Sequence, residues 1–105
     1  MPGGWLEVAK VGDVVEGEPF ACEVAGKKIA LYLLDGAIFA TTNICTHAYA
    51  LLSDGLIEGE AIECPLHNAR FDIRTGKALS SPAEDDLETF PARIDGDVIS
   101  VCVST

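Results

Sequence analysis

KKIALYLLDGAIFATTN, residues 27–43, consists of two apolar runs joined by Asp35-Gly36. Ile29, Leu31 and Leu33 recur at every second position, the period of a strand with one face against a core. Asp-Gly supplies the left-handed backbone of a tight hairpin, so the stretch reads as two antiparallel strands. TFPARIDGDVISV, residues 89–101, reads as a second hairpin. Phe90, Ala92 and Ile94 precede the Asp95-Gly96 turn there, and Ile99 and Val101 follow it. Trp5–Ala9 and Phe20–Val24 add further strand-like runs, and Ala25-Gly26, Asp54-Gly55, Glu58-Gly59 and Thr75-Gly76 mark other turns. No segment sustains a helical period, and Gly and Pro recur too often for long helices. The expectation is an all-β chain, an antiparallel sandwich or barrel.

The 105 residues suit one domain, with 49% apolar and 23% charged residues, the balance of a folded globular chain. Seventeen carboxylates against seven Lys and Arg give a formal charge of −10. Such a surface repels nucleic acid and anionic membranes; taken alone it serves to keep a small chain soluble, and it steers toward a basic protein partner only if another feature demands docking. The opening MPGGWLEVAK lacks the basic segment and apolar run of a signal peptide, and no stretch is long enough to cross a bilayer. The location expected from this is the cytoplasm, where thiols stay reduced. Four cysteines there point to a metal or to burial as small hydrophobes, not to a disulfide framework. Ser80–Glu88, SSPAEDDLE, is polar and reads as an exposed loop.

CTHAYALLSDGLIEGEAIECPLH, residues 45–67, holds both histidines and two of the cysteines. Cys45 and His47 are one residue apart, Cys64 and His67 are two apart, and sixteen residues separate the pairs. Each pair fits at the tip of one loop. The Asp54-Gly55 and Glu58-Gly59 turns and the strand-like Ala61–Glu63 let the chain double back so that the tips meet. Zinc accepts two thiolates and two imidazoles, but its common spacings group like ligands together. A two-iron cluster with two Cys on one iron and two His on the other suits loops that each supply one of each kind.

CTH followed by CPLH resembles the Rieske signature, and RFDIRTGKAL, Pro82 and a final DGDVISV extend the likeness over nearly the whole chain. The chain is similar to the small Rieske ferredoxins of bacterial aromatic-ring-hydroxylating dioxygenases. The resemblance implies a Rieske-like antiparallel β-sandwich or barrel over residues 1–105, with two loops forming a small cluster-binding subdomain at about 43–73. It implies one [2Fe–2S] cluster, with Cys45 and Cys64 on the inner iron and His47 and His67 on the outer one. Cys22 and Cys102, in strand-like runs, are expected as buried small hydrophobes.

Rieske proteins of respiratory and photosynthetic complexes carry an extra cysteine in each loop, where Ala50 and Leu66 stand here. They also carry a serine and a tyrosine that donate hydrogen bonds to sulfur, where Ala69 and Phe71 stand here. Loss of those donors and the acidic surround lower the potential, toward about −150 mV, the low end of the Rieske range. Asn68-Ala69 stand where the family often has a glycine at one or both positions. Arg70, Arg74 and Lys77 either balance Asp72 and other carboxylates or take part in docking.

An oxygenase of this class needs a second iron held by two further histidines, and the chain has none to spare. No nucleotide fingerprint or catalytic nucleophile appears. The expected role is therefore a one-electron carrier and not an enzyme, with a monomer as the default oligomeric state. By resemblance, an NAD(P)H-dependent flavoprotein ferredoxin reductase reduces it, and the Rieske centre of a terminal oxygenase receives the electron. Ala48, Tyr49, Leu66 and Pro82 are expected to form the apolar docking patch around the histidine edges. The alternatives are the small subunit of a nitrite-reductase-type enzyme and a zinc-stabilised interaction module.

Overall fold

The computed structural model describes residues 4–45, 50–65, 69–79 and 85–103. Ten strands lie among them: β1 (Trp5–Lys10), β2 (Phe20–Val24), β3 (Lys27–Leu34), β4 (Ala37–Thr42), β5 (Leu56–Glu58), β6 (Ala61–Glu63), β7 (Arg70–Asp72), β8 (Thr89–Phe90), β9 (Ala92–Asp95) and β10 (Val98–Cys102). Single 3-10 turns occupy Val11–Asp13 and Leu52–Asp54. The strands form three antiparallel sheets, in the orders β1-β10-β9, β2-β3-β4-β8 and β5-β6-β7. The all-β expectation holds.

Turn chemistry sets the registers. Ala25-Gly26 and Asp35-Gly36 both place two successive residues at positive φ, the conformation whose twist matches a two-residue hairpin. They join β2 to β3 and β3 to β4, with Cys22 opposite Ile29 and Leu31 opposite Ala40. In the β9–β10 hairpin the turn is displaced by one residue from the expected Asp95-Gly96. Asp95 still pairs with Val98, and Gly96 (φ 65°) with Asp97 makes the corner.

The expected single hairpin over residues 89–101 is divided at Pro91. Phe90 pairs with Ala40 of β4, whereas Ala92 pairs with Val101 of β10. Proline has no N–H for a ladder, and here it marks the passage from one sheet to the next. Its carbonyl still accepts the Cys102 N–H at 2.9 Å.

β3 is buried on both faces. Ile29, Leu31 and Leu33, the expected core face, pack with Val24, Phe90, Ile99 and Val101 between the four-stranded sheet and the β1-β10-β9 sheet. The other face, Ala30, Tyr32 and Leu34, is equally covered, by Leu52, Ile62, Phe71 and Ile73 of the segments around the third sheet. An antiparallel strand with one solvated face alternates apolar and polar residues; β3 lacks that alternation because neither face is wet.

Candidate metal centre

Two loops leave the third sheet and its neighbour. One runs from Cys45 to Ala50 and the other from Cys64 to Ala69, each spanning six residues. Each is shut by the same bond: the cysteine N–H donates to the alanine carbonyl, at 3.0 Å in the first and 2.7 Å in the second. Cys45 and Cys64 thus start matched loops. Both side chains belong to one buried cluster with Tyr32, Leu52, Ile62, Ala69 and Phe71, and Cys64 is fully enclosed. The structure therefore brings the two cysteines into one core. His47 and His67 lie outside the described residues, as do the docking candidates Ala48, Tyr49, Leu66 and Pro82.

The necks beneath the loops are built differently. The second continues a ladder, with Glu63 opposite Arg70 and Ile62 opposite Phe71. The first has only an isolated bridge between Ile44 and Leu51. Beneath it Asn43, 3% exposed, bonds through all four of its polar groups. Its N–H donates to the Lys28 carbonyl (2.9 Å), and its carbonyl accepts the Leu52 N–H (2.7 Å). Its side chain accepts the Ser53 N–H at 2.7 Å and donates to Ser53 Oγ at 3.0 Å. Motif spacing does not reveal this pair. An Asn at the end of a β-branched, apolar run is poorly suited to a strand and well suited to local side-chain bonding, which is the signal available in sequence.

Other packing fixes the surroundings. Gly55 has ordinary extended φ, but a Cβ there would collide with the Glu63 carbonyl, so only glycine lets the chain after the 3-10 turn pass under β6. A Cβ at Gly76 (φ 80°) would likewise collide with the Leu87 carbonyl, and the Leu87 N–H donates to the Gly76 carbonyl at 2.7 Å. Asp86 accepts the Ala78 N–H at 2.9 Å, a second tie between these two segments.

Arg74 meets Glu60 at 2.8 Å and lies 4.8 Å from the centre of the Phe39 ring, and Arg70 meets Glu58 at 3.3 Å. Asp72, expected to balance these cations, instead accepts the backbone N–H groups of Arg74 and Thr75. Ala69 and Phe71 are fully buried in the cysteine core. Cys22 and Cys102 lie elsewhere, on β2 and β10, both half-buried. Burial pushes the Cys22 thiol up from its ordinary value, the direction opposite to that of a metal-binding thiolate.

The chain belongs to the Rieske [2Fe-2S] domain family, which matches residues 4–91. Its relatives narrow the class to small ferredoxins. It is 48% identical over 95 residues to the ferredoxin component of the naphthalene 1,2-dioxygenase/salicylate 5-hydroxylase systems of Ralstonia sp., covering 90% of this chain and 91% of that one. The fold matches a ferredoxin of Sphingomonas yanoikuyae B1 with a TM-score of 0.90 and 36% identity, over 96% of this chain and 100% of that one. It also matches a chain from a complex of reduced oxygenase and oxidised ferredoxin in carbazole 1,9a-dioxygenase, with a TM-score of 0.87, 32% identity and coverage of 93% and 92%.

The described residues fit the family's cofactor. A Rieske [2Fe–2S] cluster needs two thiolates from separate loops, and here two cysteines start separate loops over one apolar core. Among the described residues no helix is long and apolar enough to cross a membrane.

Proposed function

We propose that the chain is a one-electron carrier delivering electrons to the Rieske centre of a terminal aromatic-ring oxygenase, after reduction by an NAD(P)H-dependent flavoprotein. The observation that carries this reading is the pair of buried cysteines heading two loops closed by the same bond. When bound, a Rieske cluster supplies a one-electron couple. The chain is read as one domain with its cluster-binding part at about residues 43–73, working as a monomer in the cytoplasm. Cys45 and Cys64 hold the inner iron, and His47 and His67 hold the outer one. Ala48, Tyr49, Leu66 and Pro82 surround the outer edge as the contact for both partners.

The apolar packing around the cysteines supports a low potential. Ala69 and Phe71 bring no side-chain donor to sulfur, and the acidic surface opposes the added negative charge of the reduced state. The function is tested by reconstitution of NADH, a flavoprotein ferredoxin reductase and a naphthalene dioxygenase with the holo-chain. Oxygenase turnover is expected only with the chain present and carrying iron and sulfide. Equal turnover without it sinks the carrier role. A potential near the upper end of the Rieske range, about +300 mV, overturns the low-potential reading.

A further inference from the structure

We infer that Asn43, with Ser53, is the positioning residue that holds Cys45 for the cluster. The inference rests on the reading of Cys45 as a ligand. Asymmetry between the necks is what points to it. Cys64 follows directly on β6, whose partners on both sides fix its backbone. Cys45 follows two residues that belong to no strand, so no ladder sets its place. In place of the ladder, the buried Asn43 amide grips both the N–H and the hydroxyl of Ser53, while its backbone joins Lys28 of β3 to Leu52.

One residue thereby ties β3, the 3-10 turn and the start of the cysteine loop together. All four of its polar groups are used, so its orientation is single-valued. Groups that orient a metal ligand in this way influence affinity and electronic structure without touching the metal.

The arrangement separates a positioning role from bulk stability. Asn43→Leu keeps the volume and removes the side-chain bonds. Asn43→Asp keeps them, with the Ser53 hydroxyl turned to donate. Ser53→Ala is a milder cut that leaves the Ser53 N–H bond in place. Leu31→Ala serves as the stability control, since Leu31 is fully buried on the opposite face of β3, in the core that holds neither Cys45 nor Cys64.

The experiment uses purified holo-protein. It measures release of iron to a chelator under native conditions, the reduction potential, and the electron paramagnetic resonance g values of the reduced state. For Asn43→Leu we expect iron release about 10-fold faster or more, with shifted g values. Ser53→Ala should show a smaller change in the same direction, Asn43→Asp should restore wild-type iron release and g values with a potential lowered by its added charge, and Leu31→Ala should leave all three readouts unmoved while it stays folded. If Asn43→Leu fails to fold, Ser53→Ala and Asn43→Asp decide by the same readouts.

Wild-type release and g values in Asn43→Leu, or in Ser53→Ala where Asn43→Leu does not fold, overturn the inference, as does an equal change in Leu31→Ala. Wild-type protein that binds no iron and sulfide overturns the underlying carrier reading instead.

Discussion

The two faces of β3 look onto two cores built from different material. On one, Ile29 and Leu31 meet Phe90, Ile99 and Val101, aliphatic and aromatic side chains from paired strands. On the other, Ala30 and Tyr32 share a cluster with Ile62 and Phe71 of the third sheet and with Cys45, Leu52, Cys64 and Ala69 from loop necks and a single 3-10 turn. The first core is held by ladders and apolar burial. The second contains two thiols and is shaped by glycine clearances and side-chain bonds. With Cys45 and Cys64 as the proposed ligands, cofactor chemistry falls on one side of β3 only, and substitutions on the two sides should have different signatures.

The largest effect should come from Cys64→Ala. Purified protein is expected to lose nearly all its iron and its red-brown colour, measured by iron and sulfide content. Leu31→Ala, fully buried on the other face, should instead cost about 2–5 kcal/mol in denaturant unfolding while the folded fraction keeps its full iron content. Iron loss in Leu31→Ala at denaturant concentrations where it remains folded would break the separation of the two cores.

Gly55→Ala comes next. Its new methyl group must displace the Glu63 carbonyl, an overpacking cost of about 1–3 kcal/mol. Because Glu63 immediately precedes Cys64, faster chelator release of iron should accompany the loss of stability. A lower melting temperature with unchanged iron release would assign Gly55 to the fold alone.

Tyr32→Phe should cost about 1 kcal/mol at neutral pH, the worth of one buried hydrogen bond. It also has a pH signature. Burial pushes the Tyr32 phenol up from its ordinary value of 10.0, with the Thr41 bond offsetting part of the rise. The stability this contributes is fully present below pH 10 and declines as pH rises above it, because the unfolded chain ionises first. Wild-type stability should therefore fall more steeply than that of Tyr32→Phe between about pH 10 and 11, as measured by urea unfolding across that range. Parallel curves would remove Tyr32 as the source.

Arg74→Ala should have the smallest effect, a slight drop in melting temperature that added salt reduces, since its bond to Glu60 lies in solvent. A larger, salt-independent loss would show that stacking on Phe39 is what fastens the third sheet to β4.

Most of the strand framework was legible because its signals are local. The alternation of Ile29, Leu31 and Leu33 and the Asp35-Gly36 turn define a hairpin within seventeen residues. Burial of Ala30, Tyr32 and Leu34 was less visible, since it depends on segments far along the chain that cover them. Pro91 was read as part of one strand because the pattern of Phe90, Ala92 and Ile94 continues across it; the change of sheet is a tertiary event.

At the metal centre the candidate Cys and His ligands stood out by their spacing. The supports beneath them did not: Asn43, Ser53 and Gly55 act through groups brought close only by the fold. Glycine at 55 looked like a turn former, yet its φ is ordinary and its function is clearance.

The position of β3 also makes it a natural reporter. Ile29–Leu31 is paired on both edges and covered on both faces, so amide hydrogens there should reach solvent only when the molecule opens widely. In deuterium exchange these amides would run as the slowest clock in the chain. The short strands β5–β7 would keep a second, faster time, set by how firmly the cysteine loops are held.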